Sequence, residues 1–201
     1  MSFSFSIHAP VAPDMLDVLQ RAGLPDVSFE EGTARAGPWP AGIVHLYRES
    51  ISTRSIEVGY EDGLFDVRLL VLTCPEDYVL ALRLIGALAE SSGVAGSEAA
   101  IEPEDNEPLP LTEWQLQYGD AWIAQQVQSD IDVTLIMTTQ RGETLGVVGP
   151  HRTADLTPAL VADLQATGPP ETLPDRLYAA LRRMQYLDAA PHGSSLVPRQ
   201  P

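Results

Sequence analysis

Residues 54–89 decide the fold of this chain, and their sequence is RSIEVGYEDGLFDVRLLVLTCPEDYVLALRLIGALA. Residues 54–60 and 64–72 are rich in β-branched and apolar residues, which is typical of strands. The turn sequence Glu61-Asp62-Gly63 lies between them, and Asp-Gly is a preferred pair in tight hairpin turns. The pattern predicts two antiparallel strands.

The apolar period changes to that of a helix after the second strand. Thr73 followed by Glu76 has the spacing of a capping box, and Pro75 suits the first helical turn. A helix from Pro75 to Ala89 would be apolar around most of its circumference. We expect this helix to be largely buried against a sheet.

The remaining segments extend this arrangement in both directions. The patterns predict strands at 2–8 and 43–47, a short helix after Pro13, a loop at 30–42, a helix at 112–128 with a second capping box at Thr112 and Gln115, a hairpin of 132–139 with 143–148, and helices at 157–166 and 174–187. The expected class is α+β, with a mixed or mostly antiparallel sheet packed against a few helices.

The expected domain organisation is a single domain over residues 1–188. Residues 91–110 are rich in Gly, Ser, Pro and acid, and predict a long loop or internal linker with one short strand near Ala100-Ile101. Residues 189–201 predict a disordered tail and resemble an engineered protease-cleavage linker.

Lysine is absent from the chain, whose 12 basic residues are all Arg against 28 Asp and Glu, giving a net charge of −16. The absence of lysine excludes a Walker-type phosphate loop and a Schiff-base nucleophile. A strongly negative surface repels nucleic acid and anionic membranes, so neither is an expected partner. The sequence has no apolar segment of spanning length, no signal-peptide pattern and only one cysteine, which together predict a cytoplasmic protein.

Acidic residues dominate the middle of the chain. No Arg occurs between residues 84 and 140, a stretch with ten acids. The candidate partner-binding acids are Glu102, Glu104, Asp105, Glu107 and Glu113. One interpretation is a surface that captures a basic protein by complementary charge, and the other is a solvated loop that maintains solubility. These acids lack the calcium-loop pattern, and we expect neither a metal nor a cofactor.

Aromatic residues follow the acidic stretch. Trp114, Tyr118 and Trp122 recur every four residues and would share one face of the predicted helix. They could be core residues or, on an exposed face, partner-binding anchors, and Trp39 between two prolines is open to the same two interpretations.

Cys74 is placed by the sequence at the N-terminus of the predicted helix, where the helix dipole can lower a thiol pKa. The favoured interpretation is a small buried residue that packs between strand and helix. The four His residues, His8, His45, His151 and His192, have no zinc-ligand spacing and lie far from Cys74 in sequence.

The segments Gly63 to Arg68 and Thr73 to Tyr78 resemble a family of small bacterial proteins of unknown function, with a strand, an Asp-Gly turn, a second strand and a Thr-Pro-x-Asp-aromatic helix entry. The resemblance covers about residues 60–130 and implies a bacterial origin but no active-site residues. The chain is also similar in type to immunity proteins of bacterial toxin systems, which are often small, acidic and free of catalytic motifs.

The favoured hypothesis is a non-enzymatic immunity protein that neutralises a basic toxin by covering a basic surface or active site. One alternative is a small cytosolic enzyme with a site assembled from carboxylates, Arg and Cys74. Another is an adaptor or chaperone for a secreted effector, which would leave its partner active. The sequence leaves the oligomeric state open.

Overall fold

Seven strands form one antiparallel sheet in this computed structural model, which describes residues 2–24, 26–30, 34, 36–93, 100–104 and 106–187. The strands are β1 (Ser2–His8), β2 (Ser28–Phe29), β3 (Gly42–Tyr47), β4 (Ile56–Glu61), β5 (Leu64–Leu70), β6 (Ala100–Pro103) and β7 (Leu109–Pro110). Their order is β2-β3-β4-β5-β1-β6-β7, and every neighbouring pair is antiparallel. The N-terminal strand therefore lies inside the sheet, between β5 and β6.

The hairpin predicted from residues 54–72 is confirmed. Glu61 of β4 pairs with Leu64 of β5, and the turn residues Asp62 and Gly63 have φ angles of 49° and 80°. A type I′ turn, which matches the strand twist, requires positive φ at both central positions, and Asp-Gly supplies this. The Gly63 carbonyl accepts a 2.8 Å hydrogen bond from the Ala9 N–H, so the turn lies against the end of β1.

Helices cover one face of this sheet. They are α1 (Met15–Arg21), α2 (Pro75–Ser91), α3 (Leu111–Gln117) and α4 (Asp120–Leu135), and their buried residues share one core with the inward side chains of the strands. The predicted burial of α2 is confirmed, with Leu80, Leu84, Ile85 and Leu88 at most 1% exposed. Its predicted capping box is wrong, because the N-cap is Cys74 and the Thr73 hydroxyl donates to the Leu70 carbonyl at 2.7 Å.

A second buried cluster follows in the C-terminal part. It is formed by the hairpin β8 (Leu145–Val148) and β9 (Thr153–Leu156) with helices α5 (Pro158–Ala166) and α6 (Leu173–Arg182). Leu72 and Cys74, which precede α2, and Ile131 of α4 belong to this second cluster. The two clusters therefore meet at the N-terminus of α2. The predicted helices at 157–166 and 174–187 are confirmed, the latter ending in a π-helical turn over Arg183–Leu187.

The predicted strand at 132–139 is wrong. These residues end α4 and continue as a π-helical turn over Ile136–Gln140, and β8 pairs with β9 instead. The Thr134 and Thr138 hydroxyls donate to the carbonyls four residues earlier, at 2.8 and 2.6 Å, so these β-branched residues accommodate helical backbone. Burial of Ile131 in the second cluster outweighs the local strand propensity.

The predicted helix at 112–128 is two helices. Gly119 is the N-cap of α4 and separates it from α3, which begins after Pro110 without the predicted side-chain cap at Thr112. The extended backbone of Gly119, with φ −140° and ψ −155°, is incompatible with a continuous helix.

The acid-rich segment 91–110 contributes to the edge of the sheet. The short strand predicted near Ala100-Ile101 is confirmed as β6, which pairs with β1 and β7. Residues 94–99, 105 and 188–201, including the predicted tail, lie outside the described residues. No helix in the described part of the chain is long and apolar enough to cross a membrane. The α+β class is confirmed.

Candidate functional site

The face of the sheet opposite the helices carries a row of alternating side chains from five strands, which we call the outer face. Alternation is set by the pleat, because Phe5, Ile7, Val58 and Val67 point into the core and their neighbours point the other way. The outer face comprises Ile43 and His45 of β3, Glu57, Gly59 and Glu61 of β4, Leu64, Asp66 and Arg68 of β5, Ser4, Ser6 and His8 of β1, and Glu102 and Glu104 at β6.

The strand register brings carboxylates from distant parts of the chain together. Asp66 pairs with Ser6 on β1, and Ser6 in turn pairs with Glu102 on β6. One row further, the Ser4 N–H donates to the Glu104 carboxylate at 3.1 Å, and the Glu104 N–H donates to the Ser4 carbonyl at 2.9 Å. Acids from three regions of the sequence, near residues 57, 66 and 103, therefore lie on one surface.

Positive charge is sparse on the outer face. Arg68 lies 3.4 Å from the Glu57 carboxylate; the Arg68 side chain is exposed, and that of Glu57 is partly buried. Partial burial raises the pKa of Asp66, the carboxylates of Glu104 and Glu57 raise it further, and Arg68 opposes the rise. The raised pKa is due chiefly to partial burial, and the smaller repulsion from Glu104 and Glu57 is the part that a positively charged partner would relieve.

Two exposed apolar side chains lie among the acidic residues of the outer face. Ile43 is 60% exposed and Leu64 is 45% exposed. Gly59 lies between β3 and β5, and a Cβ built there would be 3.9 Å from Ile43 Cγ1 and from Asp66 Cβ. The missing side chain leaves a shallow depression between an apolar and an acidic residue.

The predicted acidic residues fall into two groups. Glu102 and Glu104 lie on the outer face, while Glu107 and Glu113 are exposed further along, before and within α3. Asp105 lies outside the described residues. Sequence reasoning missed Glu57 and Asp66 because it followed acids that are adjacent in sequence. The signal for them was the alternation in β4 and β5, which places both on the solvent side of a hairpin.

The predicted aromatic anchors require a correction. Trp114 is 2% exposed and stacks on Tyr118, with ring centroids 5.7 Å apart, and both contact Phe5 of β1 edge to face. Trp122 is half-buried against Phe3 at 5.3 Å. The regular spacing places these rings on one helical face, as expected, but that face packs on the sheet. The rings are core residues in this structure.

Trp39 requires the same correction. Its ring is 2% exposed and packs edge to face on Phe65, with centroids 5.6 Å apart. The two flanking prolines therefore hold a loop that returns its aromatic side chain to the core.

Cys74 is part of a buried polar cluster at the start of α2. Its thiol donates to Asp77 Oδ2 at 2.9 Å, the Ser52 hydroxyl donates to Asp77 Oδ1 at 2.7 Å, and Arg48 Nη2 lies 3.6 Å from that oxygen. Cys74, Ser52 and Asp77 have no exposed surface. Burial, reinforced by the Asp77 carboxylate, raises the pKa of the Cys74 thiol to about 12. The interpretation as a small buried residue is confirmed, and a dipole-activated nucleophile does not fit.

Asp130 of α4 forms a second buried contact near the same helix terminus. Its carboxylate accepts hydrogen bonds from the Leu72 N–H at 2.8 Å and from the Tyr78 hydroxyl at 3.2 Å. Burial raises the pKa of Asp130 to about 6 although both hydrogen bonds lower it. These contacts join the two buried clusters of the fold.

A metal centre has no candidate within the described ranges. No group of three or more His, Cys, Asp or Glu side chains there is arranged to hold an ion. The outer-face carboxylates lie at intervals along the sheet and do not converge on one point.

Comparison with known proteins gives no match to a family model, a curated protein or a solved structure. The interpretation of the outer face therefore depends on its geometry and charge.

Proposed function

We propose that this protein is a non-enzymatic acidic binding protein, and specifically an immunity protein that neutralises a bacterial toxin. In this proposal the outer face covers a basic surface or a basic active site of the toxin. The observation that carries it is the register that gathers Glu57, Asp66, Glu102 and Glu104 on an accessible sheet face.

Charge supports the choice of a basic protein as partner. The whole chain carries −16, and on the outer face Arg68 stands among Glu57, Glu61, Asp66, Glu102 and Glu104. Complementary charge raises association rates by roughly 10- to 1,000-fold at low salt. Such a negative potential repels nucleic acid and anionic lipid. The proposed partner is therefore a basic cytoplasmic protein.

Apolar contact would come from Ile43 and Leu64, since Trp39 and Trp114 are buried and Trp122 packs against the sheet from the helical side. A toxin side chain could enter the depression at Gly59, which Ile43 and Asp66 border. An apolar stem with a positive end, as in Arg or Lys, fits this combination. The acids would then set the association rate, and the depression would slow dissociation.

The test compares two variants with equal net charge. The first, D66N/E102Q/E104Q, removes three outer-face acids. The second, E143Q/D163N/E171Q, removes three exposed acids from the C-terminal part. Wild-type protein captures its partner from a bacterial lysate, and the activity of the purified partner is then titrated with each protein.

We expect the wild-type protein and the C-terminal variant E143Q/D163N/E171Q to inhibit the partner fully at an equimolar ratio. The outer-face variant should need at least a tenfold higher concentration. A partner that stays fully active when saturated would favour the adaptor hypothesis instead. Equal inhibition by both variants would show that the outer face is not the binding surface.

A further inference from the structure

A cavity of about 440 Å³ lies on the helical side of the sheet, away from the outer face. Its walls come from the end of α1, the middle of α2 and the junction of α3 with α4. Cavities of about 300–1,000 Å³ are the usual size for small-molecule sites. The proposed toxin binding makes no use of this cavity.

Gly86 forms part of the cavity wall. It lies in the interior of α2, where glycine is less favourable than alanine. Its φ is not positive, and a Cβ built there would have no atom within 4 Å, so neither backbone conformation nor close packing requires a glycine. A side chain at this position would project into the cavity.

The opposite wall is aromatic. Trp114 and Tyr118 line the cavity, with Leu82 and Ile123 beside them. Trp114 is 2% exposed, and its indole N–H has no acceptor among the described residues. Flat apolar walls favour a ligand that has an apolar body.

Two arginines lie at the rim, Arg21 from α1 and Arg83 from α2. Within the described part of the chain, neither is within ion-pair distance of a carboxylate, whereas Arg48, Arg68 and Arg182 each have an acidic partner. Glu90 and Asp120 also line the rim and disfavour a multiply charged anion.

We infer that this cavity binds a small molecule with an aromatic or branched apolar body and one carboxylate or sulfonate group. The apolar body lies between Gly86 and Trp114, and the anion lies between Arg21 and Arg83. The site is independent of the proposed toxin-binding surface, since the two are on opposite sides of the sheet.

Two fluorescent probes test the inference. Anilinonaphthalene sulfonate has an aromatic body with one negative charge, and N-phenylnaphthylamine is its neutral counterpart. Each is titrated into folded wild-type protein by fluorescence, and the stoichiometry of the sulfonate is measured by calorimetry. We expect one sulfonate molecule per chain.

Variants of the cavity wall separate this site from general surface binding. Gly86→Leu projects a branched side chain into the cavity and should weaken both probes at least tenfold. Gly86→Ala adds one methyl group and should stay within about threefold of wild type while raising the melting temperature. Gly59→Thr, on the outer face, should leave both affinities unchanged.

Variants of the rim test the anion contact. The pair R21Q/R83Q should weaken the sulfonate at least tenfold, the effect of losing one or more charge-assisted hydrogen bonds, and leave the neutral probe within twofold. These side chains are exposed, so this pair remains informative if Gly86→Leu fails to fold. Several sulfonate molecules per chain, unchanged affinity in Gly86→Leu, or equal loss of both probes in the arginine pair would each overturn the inference.

Discussion

Asp130 shows what a buried carboxylate does to stability. Its side chain contacts α2 and the residue before it, and burial raises its pKa to about 6. The unfolded value is about 3.9, so its favourable contribution is complete below about pH 4 and is lost as the pH rises through about 6. Burial raises the pKa of Asp77 as well, which adds to the same trend.

We therefore predict that the free energy of unfolding falls between pH 5 and pH 7.5. A shift from 3.8 to about 6 corresponds to at most about 3 kcal/mol over the full titration, and about half of that change falls between pH 5 and pH 7.5. Asp130→Asn should reduce this pH dependence, as measured by urea denaturation at several pH values. Asp132→Asn, at an exposed neighbour, is the control and should keep the wild-type slope. Greater stability at pH 7.5 than at pH 5 would contradict the sign.

The sequence predicted the positions of individual residues along the secondary structure better than it predicted their burial. The four-residue spacing of Trp114 and Tyr118 correctly predicted that they share one face. Spacing alone does not show whether that face packs on the sheet or is exposed to solvent. The position of Cys74 at a helix N-terminus was also correct. Its favoured interpretation as a small buried residue is confirmed, and burial outweighs the helix dipole in setting its pKa.

At the scale of elements, two glycines of the β4–β5 hairpin make a matched test. A Cβ at Gly59 meets only ordinary contacts at 3.8–3.9 Å, whereas Gly63 has a φ of 80° and its Cβ would lie 3.3 Å from the Pro10 Cα. We predict that Gly59→Thr leaves stability unchanged or raises it by up to about 1 kcal/mol, since threonine favours strands. Gly63→Ala should lower it by about 1 kcal/mol or more.

Thermal denaturation of both variants checks this difference. Gly59→Thr should also weaken partner binding, because its side chain fills the depression beside Ile43. A destabilised Gly59→Thr, or a Gly63→Ala as stable as wild type, would show that the hairpin geometry is different.

Elements whose patterns are local were predicted well, and those fixed by distant contacts were not. The Asp-Gly hairpin and α2 follow from turn chemistry and apolar spacing within a short segment. The stretch 132–139 has β-branched residues yet is helical, because α4 must bring Asp130 and Ile131 into buried contacts. Capping boxes at Thr73 and Thr112 match the pattern but do not form.

At the scale of the whole molecule, the sequence revealed acidity but not its arrangement. The acids from Glu102 to Glu107 are close together in the sequence itself. Glu57 and Asp66 lie near Glu102 only because the strands are arranged in the order β4-β5-β1-β6. That order places an N-terminal strand between two later ones, and no local pattern specifies such long-range pairing. The strand order therefore determines which acids share the outer face, and the negative electrostatic potential of that face exists only in the folded sheet.

This arrangement leads to a prediction about salt. Because the outer-face acids act at a distance, the association rate with a basic partner should fall as ionic strength rises from about 0.01 to 0.15 M, while the Debye length shrinks from about 30 to 8 Å. Dissociation depends on short-range contacts at Ile43, Gly59 and Leu64 and should change much less. Stopped-flow kinetics should give a shallower salt dependence for D66N/E102Q/E104Q than for E143Q/D163N/E171Q, although both lose three charges. Equal slopes would mean that only net charge matters, and the geometry of the sheet face would then have no role in capture.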